Sequence, residues 1–155
     1  MPVPPSDFKQ ALSRFASGVT VVAVDVDGQT YGMTASAFLS VSLIPPLVLV
    51  SVAKKATMHA HLLAGAPWTA SMLNAEQAAL SNRFAGYGEA EVEWARDTGG
   101  GPRIVGAVGW VACSPFAAHD AGDHTLFVGQ VEACGAEDSE PLVYFKGKYR
   151  GLVAG

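Results

Sequence analysis

Cysteine is scarce: Cys113 and Cys134 are the only two in 155 residues, and neither belongs to a CxxC pair. Two thiols cannot form a disulfide framework, and the reading that follows is a pair of buried, reduced thiols in a cytoplasmic protein. Charge is scarce too. Asp, Glu, Lys and Arg make up 15% of the chain against 50% apolar residues, so part of the surface is expected to be apolar and to meet a second copy. The net charge of −4 offers no basic face for nucleic acid. No apolar run approaches the roughly 20 residues of a membrane-spanning helix. The opening Met1-Pro2-Val3-Pro4-Pro5 lacks the basic and then apolar regions of a secretory signal, so no membrane association is expected. Also missing are the P-loop, a GxGxxG after a strand, and the GxSxG elbow of serine hydrolases.

What is present reads as one domain over residues 1–155, long enough to bury roughly 68–70% of its unfolded surface. Ser6 is expected to cap a first helix with Phe8, Ala11, Leu12 and Phe15 on one face, ended by Gly18. Valines then alternate up to Asp27-Gly28, and a second β-prone run follows. Asp-Gly between two such runs predicts a hairpin, because both centre positions of a type I′ turn need positive φ. "PPLVLVSV" (45–52) is a further strand, its prolines marking the start. Thr57 to Leu63 reads as a helix and Trp68 to Leu73 as a strand. Asn74 and Gln77 resemble a capping box that opens a helix running to about Phe84. Glu89 to Gly101 reads as a mobile surface loop, and "RIVGAVGWVAC", "TLFVGQVEAC" and "PLVYF" as three more strands. Strands dominate and no βαβ alternation appears, so a closed or partly closed antiparallel β-barrel with short peripheral helices is expected.

Three stretches carry candidate chemistry. In the first, Thr34-Ala35-Ser36-Ala37 leaves a strand with minimal side chains, and Ser40 follows. Ser51 ends the next strand, then Lys54, Lys55 and Thr57 lead into a helix. Small residues let a flat ligand approach the backbone, and a strand, basic turn, hydroxyl and helix start suit a phosphate. Ordinary turns and caps explain the same residues equally well. In the second, His119, Asp120, Asp123 and His124 are metal-ligand types, but their spacing matches no standard zinc or iron signature. A solvated turn is the simpler reading, and a third is that His124 faces a ligand cleft. In the third, "YFKGKYRGL" (144–152) mixes aromatics and cations.

These stretches, with "FASGVTVVAV" (15–24), "LSNRFAG" (80–86), "GDHTLFVGQV" (122–131) and "PLVYFKGKY" (141–149), follow one another over nearly the whole chain. In them the sequence resembles the flavin reductase family of FMN-binding split-barrel proteins, the small reductase components of two-component flavin-dependent monooxygenases. The resemblance implies an antiparallel split β-barrel and a homodimer. It implies FMN (or FAD) reduced by hydride from NADH (or NADPH), and a separate monooxygenase that receives the reduced flavin. By position, Thr34, Ala35, Ser36 and Ala37 would line the isoalloxazine ring with Ser40 close by. Ser51, Val52 and Ala53 would follow the ribityl chain, Lys55 and Thr57 would hold the phosphate, and Arg83 and Phe84 would sit beside the flavin. His124, Lys146 and Tyr149 would meet the nicotinamide dinucleotide, with His124 placing the ring rather than moving a proton. The alternative within the same fold is a flavin- or haem-holding protein without turnover.

Overall fold

Seven antiparallel strands of the computed structural model, which describes residues 1–155, form one sheet whose two edge strands are consecutive in the chain. In chain order the elements are α1 (Pro5–Leu12), β1 (Ser17–Gly18), β2 (Thr20–Val26), β3 (Gln29–Ala35), β4 (Phe38–Ser42) and β5 (Leu47–Ala53). Then come α2 (Thr57–Leu63), β6 (Trp68–Met72), α3 (Ala78–Phe84), β7 (Trp94–Ala95) and β8 (Arg103–Ile104). The chain ends with β9 (Gly109–Ala121), β10 (His124–Ala136), β11 (Val143–Phe145) and β12 (Lys148–Arg150). The large sheet runs β3-β2-β6-β9-β10-β5-β4, and only Ser36 and Ala37 separate β3 from β4. A sheet whose opposite edges are joined by so short a link must curl until they meet. They approach without pairing, which leaves a barrel with an open seam.

Side-chain alternation fills that barrel. Val22, Val24, Val48, Val50, Val52, Trp68 and Phe127 point inward, and Met58 and Leu62 of α2 plug the same cluster. The other face of β2 is buried as well. Val19 and Val21 pack with Leu80 of α3, Ile104 and Leu142 in a second cluster, which suits a strand of β-branched residues with no polar face. The Asp27-Gly28 turn has φ of 51° and 78°, so the expected β2–β3 hairpin is present.

Several expectations need correction. Pro5 occupies the first helical position of α1, so the cap falls to Pro4 and Ser6 lies inside the helix without a capping bond. Gly18 does not end that helix but pairs with Val143 in β1–β11. The stretch Phe38–Ser42, read only for its hydroxyls, is edge strand β4. The Asn74–Gln77 bonds exist, with Asn74 N–H donating to Gln77 Oε1 at 2.9 Å. However, Asn74 Nδ2 and Gln77 Nε2 reach the Gly106 and Val105 carbonyls, so they close a turn and α3 starts only at Ala78. Residues 89–101 are tied down rather than loose: β7 pairs with β8, Arg96 meets Asp25 at 2.9 Å, and Thr69 Oγ1 donates to the Gly101 carbonyl. Strands β9 and β10 extend through the His119–His124 stretch, leaving Gly122 and Asp123 as the turn between them.

Candidate functional site

The seam brings the first candidate stretch together. Ser51 N–H donates to the Ala37 carbonyl at 3.0 Å, so the end of the Thr34–Ala37 link lies beside the end of β5. On β5, Val50 and Val52 face the core, and alternation turns Ser51 and Ala53 outward. Val52 is 1% exposed, so its side chain is closed to any ligand. His124 is the cross-strand partner of Ala53, and Lys54 N–H donates to the Asp123 carbonyl at 2.9 Å. The basic turn and the β9–β10 hairpin tip are therefore one patch.

Two clefts flank β3. One, of about 420 Å³, is lined by Tyr31, Gly32, Met33, Ala56, Thr57 and Met58. The other, of about 320 Å³, has Thr34 and Ser36 on one side and Ser81, Asn82, Tyr87, Tyr144 and Tyr149 opposite. Thr34 pairs with Val21 of the outer cluster, so it points out of the barrel, and its Oγ1 donates to the Ser81 carbonyl at 2.6 Å. The Ser81 and Tyr149 hydroxyls lie 2.7 Å apart, and Tyr149 donates to Asn82 Oδ1 at 2.8 Å. A chain of hydroxyls thus lines this cleft.

The two lysines differ. Lys54 Nζ lies 3.6 Å from Asp120 Oδ1, whereas Lys55 has no ion pair and is exposed beside Thr57. His124 Nδ1 lies 2.8 Å from Asp123 Oδ1. A carboxylate can only accept, so the neutral ring carries its proton on Nδ1 and leaves Nε2 free. The His124 hydrogen bond holds the Asp123 carboxyl below its ordinary range, and the charge of Lys55 adds to this.

Other candidates are placed less favourably. Ser40 pairs with Val48 on the edge strand and lines neither cleft. Arg83 Nη1 is committed to the Ala90 carbonyl at 2.6 Å. Phe84 packs flat over Gly32, where a Cβ would lie 2.7 Å from its ring. Lys146, at a positive φ of 52° in the β11–β12 turn, sits over the Phe145 ring. Within one chain, no hydrogen bond or ion pair joins Lys146 or Tyr149 to His124. No three His, Cys, Asp or Glu side chains converge as a metal group; Asp120 lies with Lys54 and Asp123 with His124. Cys113 is 2% exposed and burial pushes its thiol up to about 12, so it offers no thiolate.

Residues missed in the sequence include Ser81 and Asn82, which lie inside the quoted "LSNRFAG" and share the helix that carries Arg83; Asp123, read there as a metal-ligand type, instead orients His124. Hydroxyls along β3 and β5, small side chains at the link and an unpaired cation next to Thr57 fit a flat ring with a polar edge, a polyol and a phosphate.

A family model described as "Flavin reductase like domain" matches residues 12–153. A NADH-dependent flavin reductase from Rhodococcus sp is 41% identical over 157 aligned residues, covering 97% of this chain and 88% of its own. The reductase component of 4-hydroxyphenylacetate 3-monooxygenase from Thermus thermophilus is 43% identical over 94% of this chain and 95% of its own. Among solved structures, the flavin reductase PheA2 in its native state superposes with a TM-score of 0.94 at 38% identity, over 98% of this chain and 100% of its own.

Proposed function

The chain belongs to the flavin reductase like family, and on that premise we propose that it is an NAD(P)H:flavin oxidoreductase that reduces FMN or FAD for a separate flavin-dependent monooxygenase. NADH is the donor named for the Rhodococcus relative, and no residue group here suggests an adenosine site for the flavin, so NADH and FMN are the preferred pair. The observation that carries this reading is the seam itself. There Ser51 N–H meets the Ala37 carbonyl at the end of the Thr34–Ala37 link, and His124 pairs with Ala53 just before Lys55 and Thr57.

Bound flavin supplies the hydride acceptor and the nicotinamide supplies the hydride, so the protein's part is placement and exclusion of water. Thr34, Ala35, Ser36 and Ala37 present the ring edge with hydroxyls and backbone. Ser51 and Ala53 offer an outer strand face to the polyol. Lys55, which has no ion pair, and Thr57 hold the phosphate, while Lys54 stays with Asp120. Asp123 holds His124 so that Nε2 is presented to the nicotinamide, and Tyr149 and Lys146 border the neighbouring cleft. No side chain needs to act as an acid or base.

The apolar faces fit a homodimer in the cytoplasm. Helix α1 buries none of its residues, and Phe8, Phe15, Leu43 and Ile44 are 57%, 77%, 84% and 91% exposed. A second copy is the natural cover for them, and a light-scattering mass of one chain would refute it. The test of function is steady-state NADH and NADPH consumption with FMN, FAD and riboflavin. Consumption that depends on added flavin supports the reading; none with any flavin overturns it and leaves a binding protein without turnover.

A further inference from the structure

Behind the basic turn lies a polar junction to which the proposed reaction gives no role. His59 of α2 places Nε2 2.8 Å from Thr125 Oγ1, and its ring meets Phe127 edge-on with 5.4 Å between centroids. Thr125 is 2% exposed and lies on β10 with Val52 and Asp120 as its cross-strand partners. Its Oγ1 also donates to Asp120 Oδ1 at a long 3.5 Å, which leaves the His59 bond at 2.8 Å as the close one. On the same hairpin, Asp120 meets Lys54 and the Asp123 carbonyl accepts the Lys54 N–H. Three ties therefore join α2 and the Lys54–Thr57 turn to the hairpin tip that carries His124.

The three ties are not equivalent. The Lys54–Asp120 pair is exposed, 43% and 82% by side chain, and pairs of that kind contribute little. The backbone bond is open to almost any residue at position 54. The Thr125 hydroxyl is the buried side-chain link. Helix α2 has only seven residues, too few to hold itself. Its core contacts through Met58 and Leu62 and the stacking of His61 on Tyr31 are non-directional, and define its position along its axis less sharply than a hydrogen bond does. A hydrogen bond is directional and fixes that position.

We infer that Thr125 is a positioning residue: by holding His59 it sets the start of α2, and with it Lys55 and Thr57, in register with His124. The phosphate end of the flavin and the nicotinamide are then gripped by one rigid unit. This rests on the flavin site proposed above. A threonine that merely satisfied a buried helix histidine would stabilise the fold without favouring one flavin over another.

The experiment compares wild type with Thr125→Val, which keeps the shape and removes the hydroxyl, and with Thr125→Ser, which keeps the hydroxyl. Flavin fluorescence titrations give Kd for FMN and riboflavin, and steady-state rates give KM for NADH and kcat. For Thr125→Val, Kd for FMN is expected to rise about fivefold, the worth of one neutral hydrogen bond, while Kd for riboflavin stays within about twofold. KM for NADH is expected to rise with kcat nearly unchanged, and Thr125→Ser to behave as wild type. If Thr125→Val does not fold, His59→Leu removes the same bond from the other side and keeps the contact with Phe127. Equal weakening of FMN and riboflavin, or a lowered Tm with both Kd values unchanged, overturns the inference. Wild type that fails to prefer FMN over riboflavin overturns the phosphate site itself. Wild type that does prefer it, beside a variant with the same preference, sinks only the role of Thr125.

Discussion

Replacing Gly32 with alanine tests whether helix α3 is seated on β3 as described. A Cβ at Gly32 would lie 2.7 Å from both Cδ1 and Cε1 of Phe84, whereas carbon atoms rest at about 3.5–4.0 Å. The ring must therefore retreat by about 1 Å. Phe84 is wedged against Trp94, with 5.6 Å between ring centroids, so the retreat falls on α3 itself. Helix α3 also carries the Ser81 carbonyl, which takes the Thr34 hydroxyl at 2.6 Å. A shift of about 1 Å stretches that bond past useful length. Overpacking of this kind costs about 1–3 kcal/mol, and the lost hydrogen bond about 1 kcal/mol more. For a chain of this size, a loss of about 2–4 kcal/mol lowers Tm by roughly 4–16 °C. Thermal unfolding and FMN titration of Gly32→Ala should show that fall together with weaker flavin binding. The same substitution made on a Phe84→Ala background should cost less than about 0.5 kcal/mol, since the clashing ring is gone. An undiminished cost on that background, or an unchanged Tm in the single variant, would refute the reasoning.

Other consequences can be measured in the same way. Lys55→Ala combined with Thr57→Ala should weaken FMN at least tenfold while sparing riboflavin, given the worth of charge-assisted bonds to phosphate at about 1.5–3 kcal/mol; equal losses for both flavins would remove the phosphate assignment. His124→Ala should raise KM for NADH and leave FMN titration nearly intact, and a matching loss of FMN would show that His124 belongs to the flavin. Asp123 has its carboxyl held below the ordinary 3.8 by His124, so its stabilising contribution is present above that pH and fades as pH falls through the lowered value. Asp123→Asn should accordingly flatten the acid end of the Tm–pH curve, and a curve identical to wild type there would count against the pair. Native protein should release one thiol to a disulfide reagent at neutral pH, from exposed Cys134, and two only after unfolding; rapid reaction of both would contradict the burial of Cys113.

How much could be read in advance follows the range of the forces involved. The β2–β3 hairpin was legible because Asp27-Gly28 is a local conformational signal, and α2 because Met58 and Leu62 recur at helical spacing. Strand β4 was not: Ser40 and Ser42 alternate with Leu39 and Val41 on an exposed edge, and their pairing with β5 is decided by the barrel, not by the stretch itself. The early start given to α3 came from a real Asn74–Gln77 bond that closes a turn because both side chains are drawn to carbonyls about 30 residues away. Residues 89–101 look loose in composition, yet Asp25 and Thr69 anchor them from strands far along the chain, through Arg96 and the Gly101 carbonyl. At the site, Thr34, Ser51 and Thr57 showed in the sequence as hydroxyls out of place in an apolar segment. Ser81 gave no such sign, since its hydroxyl meets that of Tyr149 only when the C-terminal hairpin folds back against α3.

The most direct test is a crystal structure of the protein with FMN at saturating concentration. The isoalloxazine ring should lie against Thr34–Ala37 and the phosphate should contact Lys55 and Thr57, with His124 Nε2 open to the side on which a nicotinamide would stack. FMN bound at another face, or a seam filled by side chains with no ligand in it, would contradict the account.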